Sequence, residues 1–420
     1  MRKALLAVSV LLLFSLPLLG QGKRMWVLRA NGEMVEYDPA TFAPKQTIKL
    51  PTEAAQSPQN VLVNHLGQVL FAPTVPLPLA EDDADATHKA WFWNGRTATT
   101  IDQGVTRTSV KEGSNFAITE AAPLPYLSAD GNYLFWFANQ ARRLQREEMD
   151  LSTTTTWLSW RTDLTGAMRE DLTSSKLPDC RCTTGSCEDT CPYGAVWVPE
   201  GGVGKFFLLT QYVQGQTQPT YKASSRYQEE AGKWNASSVS PPLRRVLDAA
   251  SDGNVILEAV PDTGCCGWVN QSNDQTLLRS FGKTTTVFDE QESFKNPDYD
   301  VSFYTSNAGL SPEVGYVAMT IVSTAQPSKA IQLAEQGQAN PEESQHIRKA
   351  LAELPAVEVK SVEDSPRRVA YLPHATLVGW ISEEEILVIE DHVLVAYSVG
   401  SGARRKSNVR VEDVGRVFLR

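Results

Sequence analysis

A short hairpin motif recurs along this 420-residue chain and limits what the chain can fold into. Each copy is a turn rich in Asp, Gly and Asn, followed by a strand of aromatic and branched residues. Dipeptides such as Asp-Gly supply the positive φ angles that tight hairpins require. The clearest copies are residues 65–71, 128–135 and 251–257, and weaker ones are 204–208, 311–317 and 382–388. Positions 67, 131, 204, 253, 314 and 384 mark these turns, which are about 63 residues apart on average.

A second element follows most copies and consists of a strand, a turn and a final strand. It is clearest in residues 90–97, 157–166 and 393–402. The two elements together give four strands per repeat, which is the unit of one β-propeller blade. A single blade cannot bury both of its faces, so blades stack around an axis. The sequence therefore predicts an all-β, seven-bladed β-propeller. Six or eight blades stay open as alternatives, because the motifs at 204 and 314 are weak.

The two ends of the chain predict how such a ring closes. The first repeat supplies only three strands, Trp26–Arg29, Met34–Tyr37 and Gln46–Leu50, with Asn31-Gly32 as a hairpin turn. The last repeat, residues 376–411, already has four strands, so Arg416–Leu419 is left over. We predict that this tail completes the first blade, which removes an exposed sheet edge.

Two repeats carry a family resemblance. Leu127–Leu134 followed by Trp160–Gly166 resembles the repeat of TolB-type, WD40-like β-propellers, in which a Ser-Pro-Asp-Gly-like hairpin precedes a strand and an Asp-Leu-x-x-Gly turn closes the blade. Residues 379–402 are similar, although Glu383, Glu384 and Glu385 replace the Pro-Asp-Gly. The resemblance covers most of residues 25–415 and implies the fold. It implies no activity, because the group includes both periplasmic scaffold proteins and the propeller halves of peptidases.

The first twenty residues predict export. Arg2 and Lys3 precede an apolar run from Ala4 to Leu19, and small Gly20 follows. This order is typical of a secretory signal peptide. The run of 16 residues is short for a bilayer span of about 20. An uncleaved anchor is the alternative. We expect a signal peptide over 1–20 and a single propeller domain over 21–420, periplasmic or extracellular, with no membrane span in the mature chain.

The six cysteines fit an oxidising compartment. Cys180, Cys182, Cys187 and Cys191 lie close together, and Cys265 is adjacent to Cys266. An even number of cysteines in an exported chain predicts disulfides, whose pairing stays open. A zinc or iron–sulfur site built by the first four is the alternative. Their spacing does not supply the two C-x₂₋₄-C knuckles that zinc sites usually have.

Three segments do not fit the repeat and are predicted as insertions near 73–89, 177–193 and 326–355. The first contains the acidic run Glu81-Asp82-Asp83-Ala84-Asp85, which could hold calcium, since hard cations bind carboxylates. It lacks the turn glycine and distal glutamate of a dedicated calcium loop, so we favour a solvated loop and expect no cofactor. The cysteine-rich second segment either shapes a binding surface or reinforces the fold.

The third insertion predicts one short helix. Asn340 is a suitable N-cap, Pro341 suits the first helical position, and Pro355 follows the end. Ile347, Leu351 and Leu354 then share one face. We expect this face to cover apolar surface of the same chain at the propeller rim.

Charge and motifs exclude several functions. The net charge is −10, and no basic stripe interrupts it, which argues against nucleic acid as a partner. No nucleophile elbow, metalloprotease motif or phosphate-binding glycine loop occurs, and the five histidines (His65, His88, His346, His374 and His392) share no motif. Ser128–Phe135 resembles a sialidase Asp-box, but the hairpin explains the same residues. Gly264–Trp268 resembles the vicinal-disulfide segment of quinone-dependent alcohol dehydrogenases, without their calcium and quinone constellation.

Two functions from different classes remain. The first is a binding or scaffold module of the cell envelope, monomeric, whose partner is another envelope protein, a peptide or a glycan. The second is a propeller hydrolase, lyase or quinone-dependent oxidoreductase with a site at the central channel. Catalytic residues are not assignable from the sequence. Charged residues with shifted pKa values at the channel mouth would favour the enzyme.

Overall fold

Seven four-stranded antiparallel blades surround a central axis in a computed structural model of the chain. The predicted fold class is confirmed. The described residues are 23–73, 86–110, 116–120, 124–128, 130–146, 150–176, 180–182, 192–199, 206–213, 220–261, 273–280, 282–294, 303–323, 332–333, 335–338, 340–363, 365–411 and 414–420.

The strands are numbered in chain order. Those of blades 1 to 3 are β1 (Met25–Arg29), β2 (Glu33–Tyr37), β3 (Pro44–Lys49), β4 (Val61–Val63), β5 (Val69–Phe71), β6 (Ala86–Trp93), β7 (Ala98–Val110), β8 (Phe116–Glu120), β9 (Leu124–Leu127), β10 (Tyr133–Arg146), β11 (Asp150–Asp163), β12 (Glu170–Lys176) and β13 (Cys180–Cys182). Blade 1 is β1–β3 with a strand from the C-terminus, blade 2 is β4–β7, and blade 3 is β9–β12. Because β8 pairs with both β7 and β10, blades 2 and 3 share one ten-stranded sheet.

The remaining strands form blades 4 to 7 and the end of blade 1. They are β14 (Pro192–Trp197), β15 (Phe206–Val213), β16 (Thr220–Glu230), β17 (Lys233–Val239), β18 (Arg245–Ala249), β19 (Val255–Pro261), β20 (Asn273–Ser280), β21 (Lys283–Asp289), β22 (Phe303–Leu310), β23 (Tyr316–Ser323), β24 (Ala356–Ser361), β25 (Arg368–Pro373), β26 (Ala375–Trp380), β27 (Glu385–Glu390), β28 (Val393–Ser398), β29 (Arg404–Arg410) and β30 (Val414–Leu419). Blade 4 is β14–β17, blade 5 is β18–β21, blade 6 is β22–β25 and blade 7 is β26–β29.

The ring closes as the termini predict. β30 pairs antiparallel with β1, opposing Phe418 to Trp26 and Leu419 to Met25. The sheet order β3-β2-β1-β30 makes the C-terminal strand the first strand of blade 1. First strands of consecutive blades contact one another, as β22 does with β18 and β26, so they line the axis.

The hydrophobic core consists of layers between blades. One layer packs blade 1 on blade 2 around Trp26, Phe71 and Phe418, and another packs blade 5 on blade 6 around Phe288 and Phe303. Blades 3 and 4 meet through aromatic rings, with the centroids of Phe137 and Phe207 at 5.3 Å. Each blade thus buries both faces against its neighbours, as stacked blades must.

Among the described residues, three short helices with defined bounds accompany the strands: α1 (Thr52–Gln56), α2 (Glu290–Phe294) and α3 (Pro341–Glu353), with a 3₁₀ turn at Pro58–Asn60. The predicted helix is confirmed as α3, and the side chain of Asn340 accepts a hydrogen bond from the backbone N–H of Glu342 at 3.1 Å. Ile347 is buried in the layer between blades 5 and 6, and Leu351 and Leu354 pack beside it. In the described part of the chain, the helices are too short to cross a membrane.

Residues of one blade form hydrogen bonds with the turns of a neighbouring blade. Gln68 donates from Nε2 to the Gly131 carbonyl oxygen at 3.0 Å. In blade 7, the Glu383 carboxylate accepts from Ser311 Oγ at 2.8 Å and from the backbone N–H of Gly315 at 2.9 Å. These bonds link blade 2 to blade 3 and blade 7 to blade 6, so the turns belong to the packing of the ring.

Candidate functional site

The two faces of the ring differ in the length of their connections. Antiparallel order places the first-to-second and third-to-fourth connections of each blade on one face, which we call the turn face. The second-to-third and blade-to-blade connections lie on the other, the loop face. Turn-face connections have at most eight residues, at 198–205. The long connections all start and end at the loop face: 50–60, 72–85, 111–123, 177–191, 262–272, 290–302 and 324–355.

Three charged residues lie within electrostatic range of one another at the turn-face end of the central channel. Asp248 lies near the end of the first strand of blade 5, whereas Lys23 precedes β1 and Arg420 follows β30 in blade 1. The positive charges of Lys23 and Arg420 both interact with the Asp248 carboxylate. Blades 1 and 5 are not neighbours in the ring, so this interaction crosses the channel.

The carboxylate of Asp248 also joins two blades. Oδ2 accepts from the backbone N–H of Leu310 in blade 6 at 2.8 Å, and Oδ1 accepts from Ala249 N–H at 2.8 Å. Burial raises the pKa of Asp248, while these two hydrogen bonds and the Lys23 charge oppose the rise. Burial likewise lowers the pKa of Lys23. Asp248 and Lys23 are both partly buried residues.

A second cluster lies at the loop-face ends of blades 4 and 5. Tyr212 lies near the end of β15 and Tyr221 near the start of β16. The centroids of their rings are 5.7 Å apart. Arg244 and Arg245 lie where β18 begins, and Leu243 N–H donates to Ser224 Oγ at 2.7 Å, which holds this entry against β16. Burial raises the pKa of the Tyr221 phenol, while the charges of Arg244 and Arg245 oppose the rise.

The predicted disulfide cysteines are only partly within the described residues. The backbone of Cys180 and Cys182 forms β13, which pairs with Leu151–Thr153 of β11. Cys187, Cys191, Cys265 and Cys266 lie outside the described residues, so the disulfides stay a prediction. The same holds for the acidic run at 81–85 and for the signal peptide. Of the predicted insertions, residues 86–89 belong to β6, 180–182 to β13 and 192–193 to β14.

The structure places three of the histidines at exposed positions and the Asp-box-like segment in a hairpin turn. His346, His374 and His392 are exposed, and His374 and His392 have positive φ angles of 57° and 61° in loop-face connections. Ser128 Oγ donates to Asp130 Oδ1 at 2.6 Å and accepts from Tyr133 N–H at 3.0 Å. These bonds stay inside the hairpin, which supports the hairpin interpretation.

Metal coordination finds no support in the described part of the chain, where no three His, Cys, Asp or Glu side chains group as ligands. The charged residues that the structure does bring together were missed by the sequence analysis. Arg244-Arg245 is one of several Arg-Arg pairs in the sequence, and Asp248 is an ordinary strand residue there. Only the fold shows that they approach other charged or phenolic groups.

Comparison with known proteins found solved structures of low similarity to this chain. No family model matches the sequence, and no curated protein matches it significantly. Similar solved structures include AztD of Citrobacter koseri, with 7% identity, a TM-score of 0.37 and 95% of this chain and 97% of that chain covered. Dipeptidyl peptidase 4 of Porphyromonas gingivalis has 9% identity and a TM-score of 0.42, covering 93% of this chain and 58% of that chain. The WD40 domain of SCAP from fission yeast has 7% identity and a TM-score of 0.32, covering 92% and 87%. Similarity at this level does not indicate a shared function.

Proposed function

We propose that this chain is an exported, monomeric, TolB-type propeller that binds an envelope protein, peptide or glycan over its loop face. The observation that carries the proposal is the one-sided distribution of its long connections. Loops on a rigid scaffold commonly form binding surfaces. The connections at the turn face have eight residues or fewer.

Site-specific photo-crosslinking in the native host tests where a partner binds. A photoreactive residue replaces exposed His392 or Lys222 on the loop face, or exposed Arg96 or Ser401 on the turn face as matched controls. We expect discrete cross-linked species from the loop-face positions and none from the turn-face positions. Cross-links of equal yield from both faces, or from the turn face alone, would contradict the proposal.

Export has its own test. A signal peptide over residues 1–20 would place the mature chain in an oxidising compartment, where all six cysteines would form disulfides. Titration of the purified, unreduced protein should therefore find no reactive thiol under denaturing conditions. Six reactive thiols would contradict export.

One observation favours the second function, an enzyme with its site in the channel. Asp248 combines a raised pKa with two cations across the channel, and perturbed carboxyl groups cluster at active sites. Against this, its two oxygens already accept backbone hydrogen bonds that join blades 5 and 6. A panel of ester, peptide and glycoside substrates tests the enzyme. Turnover that is lost in Asp248→Asn, while the fold is kept, would favour catalysis over binding.

A further inference from the structure

Adjacent arginines occur as pairs on this acidic molecule, and one pair differs from the others in its ion pairing. In one described pair, Arg367 Nε lies 4.0 Å from a carboxylate oxygen of Glu363, and Arg368 Nε lies 2.6 Å from one of Glu358. Arg404 and Arg405 each lie 2.8 Å from a carboxylate oxygen, of Glu390 and Glu385.

Arg244 and Arg245 differ from these pairs, because neither guanidinium forms an ion pair within the described residues. The nearby acid, Glu258, is already used. It is buried and forms an ion pair with Arg279, while its other oxygen accepts from the backbone N–H of Arg244 at 2.9 Å. Among the described residues, no side chain takes up the guanidinium donors of Arg244 and Arg245. Their two positive charges stand out in a chain of net charge −10.

The tyrosines complete a set of donors on the same side of the ring. Tyr212 and Tyr221 lie at the adjoining ends of β15 and β16, and Arg245 begins the neighbouring β18. The hydrogen bond from Leu243 N–H to Ser224 Oγ holds the segment before β18 against β16, and the charges of Arg244 and Arg245 act on the Tyr221 phenol. Guanidinium groups donate hydrogen bonds and cannot accept them, and the Tyr221 hydroxyl can donate beside them, so the complementary ligand is an anion.

We propose that Tyr212, Tyr221, Arg244 and Arg245 form a carboxylate-binding site that takes an acidic peptide segment of a partner. Planar guanidinium groups match planar carboxylates with two parallel hydrogen bonds. The partly buried tyrosine rings offer apolar surface beside these donors, which suits a peptide chain. The identity of the partner rests on the proposed function, because the site lies on the loop face.

Binding of a labelled poly-glutamate peptide to the purified protein tests this site by fluorescence titration. Arg244→Gln with Arg245→Gln should weaken binding about tenfold or more, since it removes charge-assisted hydrogen bonds. Tyr221→Phe removes one hydroxyl and should weaken binding by a smaller factor. Exposed Arg96 and Arg367 on the turn face supply the control. Arg96→Gln with Arg367→Gln makes the same change in net charge and should leave the affinity within about threefold.

Several outcomes would overturn the site. One is a wild-type protein that does not bind poly-glutamate, and another is an equal loss of affinity in the two double variants. Inorganic phosphate that displaces the peptide at equal concentration would indicate a simple ion site. Heparin that binds more tightly than poly-glutamate would assign the site to a sulfated glycan instead.

Combining the two experiments separates this inference from the proposed function. One outcome is that loop-face cross-links fail to form in the otherwise unchanged protein while poly-glutamate still binds through Arg244 and Arg245. In that case the site stands and the proposed partner function fails. If the cross-links persist undiminished in Arg244→Gln with Arg245→Gln, the partner function stands and this site is not its contact.

Discussion

Gly131 shows why the repeat motif is easy to recognise in the sequence. Gly131 has a φ angle of +70°, a left-handed conformation that costs other residues about 1–2 kcal/mol. It lies in a turn that is closed by a hydrogen bond from its N–H to the Ser128 carbonyl oxygen at 3.1 Å. A Cβ atom here would overlap Leu66 and Gln68 of the neighbouring blade. Glycine is therefore required both by the turn and by the packing of blade 2 on blade 3.

Gly131→Ala should lower the free energy of unfolding by more than the strain alone, about 2 kcal/mol or more. Gly95→Ala is the matched control. Its φ angle is +99°, but no atom lies within 4 Å of the added methyl group. Urea denaturation of both variants measures the difference. Equal losses in the two would contradict the inter-blade contact at Gly131.

The same position in blade 6 explains why its motif is weak in the sequence. Val314 has a φ angle of 62°, although branched residues rarely adopt it. The turn is nevertheless held by Glu383, which accepts from Ser311, Glu313 and Gly315 at 2.7 to 2.9 Å. Glu383 is the residue where blade 7 departs from the Pro-Asp-Gly pattern. Its use in the neighbouring turn depends on tertiary contact, which is not visible in one repeat alone.

Asp248 predicts a pH dependence of stability with an unusual sign. Burial raises the pKa of this carboxyl above its ordinary value of 3.8, so the folded chain binds the proton more tightly than the unfolded chain. Ionisation of Asp248 therefore costs stability as pH rises through this interval. In Asp248→Asn that cost is absent, so the melting temperature of the variant minus that of the wild type should increase from about pH 4 to about pH 7.

Asp163 supplies a control of opposite sign. A hydrogen bond from Thr165, together with backbone N–H donors, lowers the pKa of Asp163. Its charged form stabilises the fold above the ordinary value of 3.8, and that contribution is lost as pH falls. For Asp163→Asn, the variant-minus-wild-type difference should thus decrease as pH rises. Parallel slopes for the two variants would contradict the assignment of Asp248.

Among the described helices, α3 is the one whose sequence signals were sufficient to predict it. The Asn340 cap, Pro341 and the spacing of Ile347, Leu351 and Leu354 all act within a few residues, so they are readable without the fold. The layer that Ile347 enters, between blades 5 and 6, is not readable in this way. The five-residue helices α1 and α2 carry no comparable signals and were not predicted.

Asn340→Ala should destabilise α3 by about 1 kcal/mol, because the backbone N–H of Glu342 loses its acceptor. Amide hydrogen exchange across α3 measures this local opening, which a global melting curve could miss. Asn340→Asp keeps an acceptor oxygen and should exchange like the wild type. Faster exchange of equal size in both variants would show that the cap is not the cause.

The candidate sites were less predictable than the elements because their members are distant in the chain. Lys23 and Asp248 are brought together only when blades 1 and 5 face each other across the channel. Tyr221 and Arg244 are nearer in sequence, but their proximity depends on β18 entering beside β16. Repeat spacing predicts how many blades form a ring. It does not predict which side chains meet across it.

At the scale of the whole molecule, ring closure depends on one strand of six residues. β30 buries Phe418 in the layer between blades 1 and 2 and pairs with β1. Arg416 donates to the carbonyl oxygens of Pro58, Gln59 and Val61 at 3.1 to 3.2 Å, and Arg420 donates to that of Val63 at 3.2 Å. The C-terminal strand therefore satisfies backbone groups of blade 2 as well as completing blade 1.

Deletion of Arg416–Arg420 should lower the melting temperature by well over the few degrees expected from one lost side chain, since it removes the pairing, the apolar burial and the arginine bonds together. Phe418→Ala isolates the burial term and should cost about 3–5 kcal/mol. Arg416→Gln keeps the strand and its pairing but removes the donors to blade 2, so its loss should be smaller than that of Phe418→Ala. Thermal unfolding of the three variants ranks these contributions. A deletion variant that melts like the wild type would show that the ring does not depend on this closure, because an open blade 1 would then be as stable as a complete one.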